Sequence, residues 1–251
     1  MTAVTYAQDG RAALITLNRP EVRNAISRRM LAELGGALDE ALGDDGIDLI
    51  LLRGAGADFC AGEDLRELTE SPPDEFDAVR IIEGYQTITR QLMLGSKTVV
   101  CAARGWVIGG GAAWPLNADF TVWSEDARLK FPEGRHGLYA SGGVTCLLER
   151  TCGSARAREL LWLGETVTAG QLVRDRIATR LVPAAEFEAA TRAMVDGLLA
   201  LPRETLVRCK AAQASLIRGP LEAALQSEAA QMRDAARSVR ENGARFTFHR
   251  T

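Results

Sequence analysis

The sequence predicts an α/β fold, with a core of buried strands followed by a helical tail. Three observations carry that prediction. In the first half, strand-like runs alternate with segments of helical periodicity. Two of those runs, Asp48–Arg53 and Thr98–Ala103, are almost continuously apolar, as strands buried on both faces are. From Ser141 onward helical periodicity dominates, broken by turn residues near Gly153, Gly164, Pro183, Pro202 and Gly219.

Taken in order, Val4–Ala7 and Ala12–Leu17 read as two strands joined at Asp9-Gly10, a hairpin signal. Ser27 is placed to cap a helix running to about Leu42, with Met30, Leu31, Leu34, Leu38 and Leu42 on one stripe. The buried strand Asp48–Arg53 ends at Gly54, and Phe59–Leu65 (FCAGEDL) opens a short helix. Ser71-Pro72-Pro73-Asp74 interrupts it, and a longer helix follows from about Glu75 to Leu94. Thr98–Ala103 leads into Gly105–Ala113 (GWVIGGGAA) and another helix start. Phe120–Ser124 and Arg128–Phe131 are two short strands. The tail then supplies three amphipathic, alanine-rich segments, Glu186–Leu201, Arg203–Arg218 and Leu221–Arg240. Unpartnered amphipathic helices at a chain end pack on another subunit, so a homo-oligomer is expected.

Bulk composition limits the function classes. The chain has 251 residues, 47% of them hydrophobic, enough to bury a sizeable core. Thirty Lys and Arg against 33 Asp and Glu leave a formal charge of −3, which argues against a nucleic-acid partner. Five cysteines without a CxxC pair read as reduced thiols. Without a basic-then-apolar leader or an apolar run of membrane-spanning length, a soluble cytoplasmic protein is expected.

The two glycine-bearing segments carry the chemistry. Each puts small residues where a strand meets a helix start, and there backbone N–H groups have no partner within the helix. Two such donors converging on one point form an oxyanion hole, which stabilises an oxygen gaining negative charge. That points to carbonyl chemistry in which the backbone holds the developing charge.

NRPxxRNA (Asn18–Ala25), FCAGEDL, the glycine triplet after KTVVCAARGW and FPExxxGL (Phe131–Leu138) resemble, in this order and spacing, the crotonase superfamily, that is, the enoyl-CoA hydratase/isomerase family. The resemblance runs from Leu17 to the helical end. It implies a crotonase-like spiral of ββα units over residues 1–190 and a helical oligomerisation or lid region over 191–251. It also implies an acyl-CoA thioester substrate, no cofactor beyond coenzyme A within that substrate, and assembly as a homotrimer or hexamer. By motif position the oxyanion donors would be the amides of Ala61 and Gly110. Arg23 and Ala25 would lie along the coenzyme A moiety, with Arg23 on a phosphate. Gly62, Glu63, Leu65, Gly109 and Trp114 would line the substrate. Asp64, in the first turn of the helix after Gly62, would support the loop as a cap.

The chain departs from the family where hydratases carry two glutamates. The first falls at Ala113, which transfers no proton; the second falls at Glu133. Hydration needs water activated and a proton delivered, work that two carboxylates share. Moving a double bond needs one group that removes a proton and returns it. Glu133 alone therefore favours double-bond isomerisation. The alternatives are hydration with a second acid the motifs do not reveal, His136 and Glu63 being candidates, or a non-catalytic acyl-CoA binder. Trp114 either narrows the acyl pocket or fills core, and Pro115 removes a helix N–H. Tyr139 and Ser141 are polar and close in sequence, without an assigned role.

Other readings fail on the residues. If Gly109 and Gly111 began a dinucleotide fingerprint, Trp114 would stand where its third glycine must be. Only His136 and His249 could serve a serine hydrolase, and no GxSxG elbow occurs. No metal-ligand cluster is evident.

Overall fold

The computed structural model describes residues 2–70, 75–136 and 140–241. The expected break at Ser71–Asp74, the segment Gly137-Leu138-Tyr139, the His136 side chain and His249 lie outside the described residues.

The main sheet has the order β1 (Val4–Asp9), β2 (Ala12–Leu17), β3 (Leu49–Gly54), β4 (Thr98–Ala103), β6 (Phe120–Ser124) and β9 (Arg180–Val182). Only the hairpin β1–β2 is antiparallel; every later pair is parallel. A parallel sheet must be covered on both faces, and the alternation of side chains shows it. Ile50, Leu52, Val99, Cys101 and Ala103 face one core with α1 (Arg28–Gly43), α3 (Glu75–Leu94) and α4 (Gly110–Asn117). Leu49, Leu51, Val100, Ala102 and Val122 face a second, smaller core under α8 (Phe187–Leu199). A small second sheet joins β5 (Trp106–Ile108), β7 (Arg128–Lys130) and β8 (Val167–Thr168).

The Ser27 hydroxyl accepts from the Met30 amide at 3.1 Å and starts α1, whose buried stripe is Met30, Leu31, Leu34, Leu38 and Ala41. Leu42, expected on that stripe, is only half-buried. The segment read as helical after Ser141 also contains the short strands β8 and β9. Both are two or three residues long, too short to show a period of two.

The expected turn at Gly219 does not occur: α9 runs unbroken from Arg203 to Glu241 with Pro220 inside. Tertiary packing overrides the breaker. Leu221 and Leu225 are fully buried, Arg90 pairs with Glu222 at 2.8 Å, and the Gln86 amide donates to the Leu225 carbonyl at 2.7 Å. The bond that Pro220 deletes would have gone to the carbonyl of Leu216, a residue that is 74% exposed. The expected boundary at 190/191 falls inside α8, whose Phe187, Thr191, Val195 and Leu198 are buried. Phe187, Val195 and Leu198 of that helix pack in the second core.

A buried ion pair ties α9 to the sheet. Lys210 Nζ donates to the Leu92 carbonyl at 2.6 Å and to both oxygens of Asp119, at 2.8 and 2.7 Å; Asp119 also accepts from the Val99 amide. Lys210→Met leaves Asp119 without its cation and is expected to cost about 3–5 kcal/mol, read as a lower urea midpoint at unchanged m.

Candidate active site

The site forms where two chain segments run side by side. Cys60 donates to the Trp106 carbonyl at 3.0 Å and Ile108 donates to the Cys60 carbonyl at 2.9 Å, a parallel bridge that aligns Cys60 with Val107. Continuing that register brings Glu63 alongside Gly110, the first residue of α4. The approach is close because Gly62 has φ +82° and a Cβ there would stand 3.1 Å from the Ile108 carbonyl oxygen. Gly109, at φ +57°, turns the chain from β5 into the helix.

The donors sort differently from the expectation. The Ala61 amide donates to the Arg23 carbonyl at 2.9 Å. It is occupied in holding the loop, which corrects its assignment as an oxyanion donor. Ile26 bonds across to Gly62 and receives from Asp64, at 2.8 and 2.9 Å. This bridge leaves the intervening Glu63 amide pointing away from residue 26. Among the described residues neither the Glu63 amide nor the Gly110 amide has a hydrogen-bond partner. Gly110 opens α4, so its N–H also lies at the positive end of the helix dipole.

Glu133 starts a short 3₁₀ turn, Glu133–His136, directly after β7 and the buried Phe131. Its Oε1 lies 2.9 Å from the point where a Cβ on Gly109 would stand. The residue keeps some solvent contact, but Oε2 is sealed from solvent and lacks a hydrogen-bond partner among the described residues. Burial first, and the neighbouring Glu63 charge second, push its carboxyl up to about 8.

Two further side chains complete the site, Glu63, which the sequence offered as a candidate second acid, and Tyr85. Glu63 Oε2 lies 3.2 Å from the same point on Gly109. Its Oε1 accepts from the Tyr85 hydroxyl at 2.9 Å. Tyr85, on α3, stacks on fully buried Trp114 with ring centroids 6.4 Å apart, and burial together with the Glu63 charge raises its phenol well above the usual value. No motif singled out Tyr85; its only signal was one polar aromatic on the buried stripe that holds Ile88 and Leu92. Trp114 therefore packs at the site, and its Nε1 has no partner among the described residues. Ala113 is buried, with its Cβ 3.1 Å from where a Cβ on Gly142 would be.

The remaining expected residues frame the loop. Asp64 Oδ1 accepts from the amides of Arg66 and Glu67, capping α2 (Leu65–Glu70), while Oδ2 takes a 2.8 Å bond from Arg19. Arg19 also donates to the carbonyl of buried Ala25 at 2.7 Å. The Arg23 side chain is 63% exposed, 3.7 Å from Asp58, and Leu65 is exposed. Ser141, half-buried, lines a small cavity beside Tyr85 with Gly142 and Glu228.

A pair of unengaged amides beside a buried carboxyl stands at the junction of a parallel sheet and a glycine-started helix, which is the site of this α/β protein. The chain belongs to the enoyl-CoA hydratase/isomerase family, which it matches over residues 8–247. Among its relatives, YhaR of Bacillus subtilis, named as an enoyl-CoA hydratase/isomerase, is 32% identical over 211 residues, 84% of this chain and 81% of YhaR. The 1,2-epoxyphenylacetyl-CoA isomerase of Escherichia coli is 36% identical over 62% of this chain and 61% of its own length. The crystal structure of an enoyl-CoA hydratase from Mycobacterium avium superposes with a TM-score of 0.80 at 26% identity, covering 95% of this chain and 99% of that one. The fold is thus the crotonase fold, and the protein is a lyase or isomerase of this family.

Proposed function

We propose that this protein acts on an unsaturated acyl-CoA thioester through an enolate, with double-bond isomerisation as the favoured reaction. The observation that supports it best is the Glu133 carboxyl, buried beside the glycine pair whose second amide is unengaged. A thioester's α-proton is too weakly acidic to leave at neutral pH unless the enolate oxygen is stabilised. The amides of Gly110 and Glu63 are the donors in this reading. Glu133 exchanges the proton with the neighbouring carbon, and a proton affinity near neutrality suits both its removal and its return. Coenzyme A enters only as part of the substrate.

Arg23 contacts a coenzyme A phosphate in this reading. Arg23→Ala is then expected to raise KM about fivefold with kcat unchanged, the signature of a binding contact made equally in ground and transition states. Assembly as a homotrimer or hexamer belongs to the same proposal. Trp162 and Leu163, 69% and 54% exposed, are apolar surface that a second copy would cover. Sedimentation equilibrium returning the monomer mass at micromolar concentration rejects that part.

The test of the function is a panel of 2-enoyl and 3-enoyl CoA thioesters followed by ultraviolet absorbance and mass. A shift in conjugation at constant mass is the expected result. Gain of one water would make the protein a hydratase, and no change with any thioester would reject the reading.

A further inference from the structure

The isomerisation just proposed uses one carboxylate, yet the site holds two. Glu63 and Glu133 put oxygens against the same point on Gly109, 3.2 and 2.9 Å from it. Glu63 is held there by the buried Tyr85 hydroxyl, donated from a different helix at 2.9 Å. A glutamate that only decorated a surface loop would have no reason to reach inward to a buried phenol. Glu133 Oε2 in turn has no partner among the described residues and no solvent, so it is aimed into the site. The position from which the family's other glutamate would act is sealed, since Ala113 is buried against Gly142.

We propose that Glu63 is a second proton carrier working opposite Glu133, with Tyr85 as its positioning residue. The proposal rests on the acyl-CoA reading and deepens it. The Glu63 carboxylate takes the proton from C2 of a 3-enoyl thioester. The C2–H electrons form the enolate double bond, and the carbonyl π electrons move onto the oxygen beneath the two amides. The Glu133 carboxyl then gives its proton to C4. The oxygen lone pair restores the carbonyl, the enolate pair becomes the C2–C3 double bond, and the former C3–C4 pair takes the proton. One proton leaves and one arrives, without change of oxidation state. Passage of the proton from Glu63 to Glu133 resets the site. The same pair has the two carboxylates that hydration requires, one to take a proton from water and one to protonate C2.

Among the described residues the titratable groups facing Glu133 are Glu63 on the loop and Tyr85 on α3. With Glu133 as donor, kcat/KM falls as pH rises through about 8, where that carboxyl loses its proton. A sole base would give the opposite limb.

The experiment is a single turnover of C2-deuterated 3-enoyl-CoA in light water. Transfer between two carriers predicts solvent hydrogen at C4, whereas one carboxylate acting alone carries deuterium across. Glu63→Gln is expected to lower kcat about 100-fold at similar KM, raise deuterium retention at C4 and replace the alkaline limb by an acidic one, because Glu133 then acts as the sole base. Tyr85→Phe, which keeps both carboxylates, should lower kcat about tenfold without those changes in retention. Wild-type product retaining the deuterium, or Glu63→Gln with wild-type kcat, overturns the proposal while leaving the function intact. A Glu133→Gln variant with full turnover, or a wild-type protein inert toward every thioester, overturns the function and this proposal with it.

Discussion

Glu133→Gln is expected to lower kcat/KM by about 10³-fold while coenzyme A thioester affinity changes by less than about threefold. Removal of a positioned acid/base group typically costs 10²–10⁴-fold, and glutamine preserves shape while forbidding proton exchange. The loss falls on kcat, because the proton moves only on the way to the transition state. The same substitution should stabilise the fold. The native carboxyl holds its proton to about 8, against 4.5 for an unperturbed glutamate. Between those values the native state binds more protons than the unfolded chain, so stability falls as pH rises from about 4.5 and levels off above about 8. Glutamine cannot ionise, so the variant escapes this loss and should exceed the wild type by on the order of 4 kcal/mol at pH 8 and by less than about 1 kcal/mol at pH 5. Thermal melts of both proteins across that range check the sign, and parallel curves would contradict it. A non-catalytic binder would show the stability effect with no activity to lose.

Gly110→Ala should be comparably severe by a different route. The added Cβ would stand 2.6 Å from both Cε1 and the hydroxyl of Tyr85, and 2.8 Å from Glu63 Oε1. Tyr85 is buried and stacked on Trp114, so it cannot swing aside, and the first turn of α4 must shift. That shift takes the Gly110 amide off the substrate oxygen. Losing one oxyanion donor costs about 2.7–4 kcal/mol, so kcat should fall about 10²–10³-fold. Glu133 is untouched, so the pH dependence of the residual activity should match the wild type. Near-normal kcat would remove Gly110 from the oxyanion hole.

Much of the fold was legible because its elements are long and locally consistent. The Ser27 cap, the α1 stripe and the apolar runs of β3 and β4 each announce themselves within a few residues. Gly219-Pro220 misled because a local breaker was outweighed by Leu221 and Leu225, whose burial against α3 no window of sequence contains. The site divides in the same way. The glycine triplet, FCAGEDL and Pro132-Glu133 stand out by composition. The occupied Ala61 amide and the freed Glu63 amide follow from which neighbour each N–H meets, and that depends on Arg23 and Ile26 crossing from elsewhere in the chain.

From sequence alone came the family, the α/β order of elements and the buried acid at residue 133, since each is written in contiguous residues and short-range periodicity. Tertiary structure decided which amides stay unengaged, that Tyr85 reaches in from α3, and that Glu63 stands beside Glu133 while Ala113 is sealed. Those are meetings between residues 20 or more apart in the chain, and only the parallel register of 60 against 107 and the packing of α3 on α4 bring them about.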